Sequence, residues 1–142
     1  MADCLCVRAY KGRRKKVFFE ELRPWLDTER ALVLLGDFNC VCSARDKSSG
    51  TPYRDGSTIA LNGVTADFGL EDVGNMLKCK TQIQFTHFQG TSHARLDRAY
   101  VSLELAPECS EYSVTPVPFS DHCLVSFLIG KRNNKKTFNW DL

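Results

Sequence analysis

No apolar run in the 142-residue chain approaches the ~20 residues that a bilayer-spanning helix needs, so no helical membrane span is expected. The opening residues, Met1-Ala2-Asp3-Cys4, lack the basic-then-apolar order of a secretory leader. Charge imbalance is equally scarce. Nineteen Lys and Arg face 17 Asp and Glu, a net charge of +2, so attraction to nucleic acid has to come from local patches rather than bulk charge. There is no internal repeat and no low-complexity tract. With 43% apolar and 25% charged residues, the collagen-like and disordered classes are excluded, and the length suits one domain with one core.

The cysteines include no Cys-x-x-Cys pair of the kind that structural zinc sites use. There are seven, an odd number, so internal disulfide pairing cannot be complete. Cys4/Cys6 and Cys40/Cys42 are Cys-x-Cys pairs, and several cysteines lie in apolar runs, as small hydrophobes do. Free thiols in a reducing, intracellular compartment are the expectation.

What is present reads as strands and two helices. Residues 4–10 alternate as a short strand, and a basic turn follows at Lys11 to Lys16. Residues 17–26 form an amphipathic helix with Phe18, Leu22, Trp25 and Leu26 on one stripe, kinked or ended near Arg23 by Pro24. Residues 31–35 are continuously apolar, the pattern of a strand buried on both faces. Residues 43–57 read as a loop, and Thr58 as the cap of a helix running to Phe68 and ended by Gly69. The second half reads as strands at 82–88, 95–102, 112–117 and 122–129, with a loop at 90–93. Residues 1–130 make the domain, and 131–142 a basic linker or tail.

Three polar clusters stand at strand edges. Asp37 and Asn39, in Gly36-Asp37-Phe38-Asn39, are two apart, so on an extended segment both point one way. That suits holding a metal or water beside an anion. Asp97, in Arg95-Leu96-Asp97-Arg98, falls where strand propensity disfavours it, so it is either paired or functional. His122, in Ser120-Asp121-His122, enters an apolar strand and can be oriented by a carboxylate. Asp97 is a candidate for that role, leaving Asp121 for a cation. Each cluster alone also has an ordinary reading: turn chemistry for Asp37-x-Asn39, a surface ion pair for Asp97, a packing histidine for His122. Their joint occurrence in this order is harder to dismiss. His87 and His93 have no partner that the sequence names.

Gly36-Asp37-Phe38-Asn39, then Arg95-Leu96-Asp97-Arg98-Ala99-Tyr100-Val101-Ser102, then Ser120-Asp121-His122 resemble the endonuclease/exonuclease/phosphatase superfamily. The retrotransposon branch, the endonuclease domains of non-LTR (LINE-type) elements, is the most similar. The resemblance implies an α+β fold, a partial four-layer α/β/β/α sandwich of the DNase I-like kind with its N-terminal part missing. It implies Mg²⁺ (or Mn²⁺) as cofactor and DNA as partner, with no membrane. By the same resemblance Asp37 helps activate the attacking water. Asn39 helps hold the scissile phosphate and orient that aspartate. Asp97 orients His122, Asp121 lies near the metal, and His122 contacts the phosphate in an acid, base or electrostatic role. Ser120 braces its loop, and Thr86 matches a family threonine near the DNA-binding face.

The family's early half, with its metal-binding glutamate, has no match in these residues, and Glu20 and Glu21 do not replace it. The expectation is therefore a parent enzyme that nicks DNA in the nucleus, continues toward a reverse transcriptase, and is represented here by a piece with little or no activity of its own. A lone piece would expose apolar strand faces at Leu32 to Leu35 and Leu124 to Ile129 and self-associate or stay unfolded. Two alternatives stand beside this one: a non-catalytic remnant or DNA-binding module, and a phosphatase of the same superfamily acting on a lipid or inositol phosphate.

Overall fold

A computed structural model describes residues 2–9, 14–49, 56–77, 85–130 and 136–139. The elements in chain order are β1 (Asp3–Arg8), α1 (Lys15–Glu21), α2 (Arg23–Leu26), β2 (Leu32–Asp37), α3 (Gly56–Asp67), β3 (Leu70–Asp72) and α4 (Val73–Met76). The second half adds β4 (His87–Gln89), β5 (Ser92–Ala94), β6 (Asp97–Ser102), β7 (Cys109–Pro116), β8 (Cys123–Ile129) and β9 (Lys136–Asn139). Residues 11–13 of the basic turn, 50–55 of the loop, 82–84 of the strand read at 82–88, Cys79, and 131–135 and 140–142 of the tail lie outside the described residues.

Two sheets carry the domain. The first has the order β1-β2-β6-β3, with β1 parallel to β2 and the other pairs antiparallel. The second is β7-β8-β9, antiparallel throughout. Every residue of β2 is buried, because the first sheet is covered on both sides. On one side, Leu32, Leu34 and Tyr100 pack with Phe19 and Leu22 of the α1 segment and with Leu61 and Val64 of α3. On the other, Val33, Leu35, Ala99 and Val101 meet Cys109 and Phe127 of the second sheet. The result is a helix/sheet/sheet α+β arrangement. Each of these large apolar side chains contributes about 1.5–3 kcal/mol when fully buried.

The packing corrects several expectations. Leu32 to Leu35 exposes no apolar face, because the second sheet covers it. As Pro24 implies, the helix read at 17–26 breaks at Leu22, next to Arg23, into two short helices, with Pro24 in the first turn of α2, where its missing N–H costs nothing. The buried stripe is Phe19, Leu22 and Leu26; Trp25 is 71% exposed. Thr58 does not cap α3 but lies inside it, buried, with its hydroxyl donated to the Val41 carbonyl at 2.9 Å. Of the stretch 90–93, Gly90 and Thr91 are the turn of a hairpin and Ser92 and His93 belong to β5; the φ of 56° at Gly90 favours glycine. Residues 95–102 do not alternate between core and solvent, since Asp97 to Val101 are all buried. Within the basic tail, Lys136–Asn139 pairs with β8 as an edge strand. The six described cysteines are free thiols.

Gly36 sits where β1 and β2 press together. Its φ is 144°, and a Cβ built there would lie 1.8 Å from the Val7 carbonyl oxygen. Only glycine lets β1 and β2 approach this closely at the point where β2 delivers Asp37.

Candidate active site

The strand ends bring the three sequence clusters to one rim. β2 ends at Asp37, and β6 begins at Asp97, directly opposite it in the ladder. The second sheet supplies His122, immediately before β8. Hairpin β4–β5 stitches that third piece in place. His87 and His122 form a backbone bridge, the Cys123 N–H donates to the Thr86 carbonyl at 2.7 Å, and the Phe88 N–H donates to the Asp121 carbonyl at 3.0 Å.

Asp97 is the centre of the arrangement. Its Oδ2 lies 2.8 Å from His122 Nδ1 and accepts the Thr86 hydroxyl at 2.7 Å. Asp97 is 1% exposed, and its Oδ1 has no hydrogen-bond partner among the described residues. Burial raises its pKa above the ordinary carboxylate value, only partly offset by the bonds from Thr86 and His122. The opposite ring nitrogen, His122 Nε2, lies 3.9 Å from Asp37 Oδ2. Asp37 Oδ1 accepts the Asn39 N–H at 2.8 Å. The extended segment expected from Asp37 to Asn39 stops at Asp37: Asn39 has a φ of 49°, a left-handed turn that asparagine tolerates. Even so, both residues line the cleft.

Ser120 Oγ accepts the His122 N–H at 3.0 Å, closing the turn that presents the histidine. Thr86 is fully buried, so it supports the site rather than meeting a ligand. Its hydroxyl oxygen also accepts the N–H groups of Leu96 and Asp97, each at 3.0 Å. Asp121, read as left over for a cation, has a protein partner: its Oδ2 lies 3.2 Å from His87 Nε2. Desolvation opposes its ionisation, but the His87 hydrogen bond and the two nearby imidazoles hold its pKa below the ordinary value. The cleft between these groups has a volume of about 950 Å³, with Arg8 and Lys47 contributing positive charge to its walls.

Sequence reasoning missed the charge network beneath the cleft. Arg98 is fully buried. It donates to the Cys40 carbonyl at 2.7 Å and to Asp46 Oδ2 at 2.9 Å. Arg95 donates from Nε to Asp46 Oδ1 at 2.8 Å, and its two terminal nitrogens meet both oxygens of Asp72 at 2.9 and 2.6 Å. Asp46 also accepts the backbone N–H groups of Cys42 and Ser43. Burial works against its ionisation, yet Arg98 and Arg95 hold its pKa below the ordinary carboxylate value. Asp97 is therefore not the partner of the arginines beside it; they bond to Asp46 and Asp72. The available signal was two arginines inside an otherwise buried strand, which demand carboxylates somewhere. His87 was also missed. Its partners come from 34 and 35 residues away, and nothing local marks them.

The model for the endonuclease/exonuclease/phosphatase family matches residues 3–122. The chain belongs to this family. Family members are nucleases and phosphatases that generally depend on a divalent metal. A curated relative, the transposon TX1 uncharacterized 149 kDa protein of Xenopus laevis, is 34% identical over 122 residues, 81% of this chain and 9% of that protein. Among solved structures, an AP endonuclease from Archaeoglobus fulgidus superposes with a TM-score of 0.71 at 15% identity, covering 90% of this chain and 61% of that one. The endonuclease domain of TRAS1, a telomere-specific non-LTR retrotransposon, does so with a TM-score of 0.63 at 15% identity, covering 90% and 56%. The chain thus spans a small fraction of its curated relative and little more than half of these solved structures. The fold is that of the DNase I-like endonucleases, and the motif resemblance to the family's retrotransposon members is the one these comparisons return.

Proposed function

We propose that this chain carries the catalytic dyad of a DNA endonuclease of retrotransposon origin, acting on nuclear DNA by metal-assisted phosphodiester hydrolysis. The observation that carries the reading is the Asp97–His122 pair. A buried carboxylate engages Nδ1, and the other nitrogen is turned toward Asp37 at the wall of a cleft large enough for a phosphodiester. With Nδ1 bonded to Asp97, Nε2 is the nitrogen left to meet a phosphate oxygen and to stabilise charge developing on it. Asp37 takes the proton from the attacking water. The Asn39 amide helps seat the phosphate and, through its backbone N–H, steadies Asp37. Arg8 and Lys47 draw the phosphate backbone toward the cleft.

The oxygen donors suit a hard cation. Asp121 has a side chain 63% exposed, and Asp37 offers Oδ2 across the cleft. Asp121 would hold Mg²⁺ (or Mn²⁺), which typically keeps several waters and binds through one or two carboxylates. When bound, the cation neutralises charge on the phosphate and leaving oxygen. Glu20 is not available to join it, because its carboxylate pairs with Arg23 at 2.7 Å on the exposed surface of α1. With few carboxylates at the rim, turnover by the chain alone is slow.

The test is substrate choice. The chain is given supercoiled plasmid, a 3′-phosphorylated oligonucleotide and a soluble inositol phosphate in parallel, each with Mg²⁺. Nicked circles without phosphate release support the endonuclease. Phosphate release without nicking assigns the chain to the phosphatases, and neither product from a folded sample assigns it to the non-catalytic remnants.

A further inference from the structure

His87, Asp121 and His122 lie on the rim of the cleft, and donor atoms of the three fall within 4.8 Å of one another. His87 Nε2 is already 3.2 Å from Asp121 Oδ2, and the two imidazole rings are 4.7 Å apart, centroid to centroid. The backbone bridge between His87 and His122 fixes their spacing. Asp97 binds Nδ1 of His122, the outer-carboxylate arrangement that accompanies metal-ligating histidines and leaves Nε2 as the donor nitrogen. Asp97 is itself fixed by Thr86, so that support is built in.

We infer that His87, Asp121 and His122 form a binding site for a borderline divalent transition ion of the Zn²⁺ or Co²⁺ class. The inference rests on the proposed placement of a cation at Asp121; a Zn²⁺-class ion held there would take His122 Nε2, the nitrogen proposed to meet the phosphate, so it would compete with Mg²⁺-supported cleavage rather than replace Mg²⁺. Two imidazole nitrogens and one carboxylate are a donor set for Zn²⁺, Cu²⁺ or Fe²⁺-like ions, whereas Mg²⁺ prefers oxygen alone. Zn–N and Zn–O bonds of about 2.0–2.2 Å require the donors to draw closer than 4.8 Å. The exposed Asp121 side chain at the rim can supply that by rotation. Three protein donors leave a fourth position open toward the cleft, where water or a phosphate oxygen can bind. Cys4 and Cys6 are exposed thiols that also attract such ions, so the test must identify which residues bind.

Histidine side-chain NMR does this without DNA. The chain has three histidines, and His93 serves as the internal control. One equivalent of Zn²⁺ is expected to shift the ring signals of His87 and His122 but not His93, while the same concentration of Mg²⁺ leaves all three in place. In His87→Phe, which keeps a flat ring against His122, the Zn²⁺ concentration needed to shift His122 should rise about tenfold or more. His87→Gln is measured alongside, with thermal melting of both, so that a folding failure in one variant does not decide the matter. Zn²⁺ that leaves His87 and His122 unmoved, or that shifts His122 equally in folded His87 variants, overturns the inference. Because no DNA is present, Zn²⁺ binding without nicking leaves this site standing and removes the endonuclease. Nicking with Mg²⁺ but no histidine shifts does the reverse.

Discussion

Thr86 and Asp97 hold each other twice. The Thr86 hydroxyl donates to Asp97 Oδ2 at 2.7 Å, and its oxygen accepts the backbone N–H of Asp97 at 3.0 Å. A buried carboxylate with one oxygen unpartnered among the described residues is held in a single orientation by this clasp, and that orientation presents the other contact of Oδ2 to His122. Thr86→Val keeps the shape and removes the hydroxyl. It strands the buried N–H of Asp97, which costs about 1–3 kcal/mol, and the partly buried N–H of Leu96, which costs less. Thermal melting should show the loss, Thr86→Ser should recover most of it, and a melting point unchanged in Thr86→Val would contradict the clasp.

Asp46 neutralises two guanidiniums at once, bonded to Arg95 at 2.8 Å and to Arg98 at 2.9 Å. Asp46→Ala leaves both arginines short of a partner beneath the cleft. Removing one member of a buried ion pair costs about 3–5 kcal/mol, so this variant is expected to unfold at much lower urea than the parent. A midpoint shift of the size seen for surface residues would show that the network contributes little.

Two carboxylates pull the pH dependence of stability in opposite directions. The folded-state pKa of Asp46 is depressed. Its contribution is complete above its unfolded pKa of about 3.9 and is lost as pH falls through the folded value. The folded-state pKa of Asp97 is raised. Its contribution is complete below about 3.9 and is lost as pH rises through the folded value. Acidification below about pH 4 should therefore lower the melting temperature in the parent, and less in Asp46→Asn. At neutral pH, Asp97→Asn should melt no lower than the parent although its activity is lost. A marked drop in its melting temperature at pH 7 would contradict a carboxylate kept buried for function rather than stability.

Gly36→Ala is expected to fail outright. The added carbon meets the Val7 carbonyl oxygen at 1.8 Å in a backbone conformation that L-residues rarely adopt. Circular dichroism or soluble yield reads the result, and a normally folded Gly36→Ala would mean that β1 and β2 do not pair in this register.

Much of the site was legible because its residues sit in short motifs whose order the fold preserves. Asp37, Asp97 and His122 stand out in the sequence, and the pairing of the last two is anticipated by reading His122 as a histidine that a carboxylate can orient and Asp97 as a strand residue in need of a role; the structure brings Asp97 Oδ2 to His122 Nδ1. The β2 strand was legible from its unbroken apolar run. What stayed hidden depends on long-range contact. Trp25 fits the helical stripe by spacing, but the break at Leu22 turns it to solvent. Thr58 has the composition of a cap, yet the Val41 carbonyl takes its hydroxyl and the helix starts earlier. His87 had no visible role because Asp121 and His122 reach it through the bridge between hairpin and β8. The Asp46 and Asp72 partners of the buried arginines come from 23 to 52 residues away, beyond any local pattern.

The Asp97–His122 dyad is proposed to cleave DNA. Its most direct test is nicking of supercoiled plasmid by the folded chain with Mg²⁺, compared with His122→Ala. The expected result is slow nicking that chelation of the metal abolishes and that falls about a hundredfold or more in the variant, the size of effect that removing a general acid–base or electrostatic group produces. Equal nicking by the two proteins, or none by a parent shown to be folded, would contradict it.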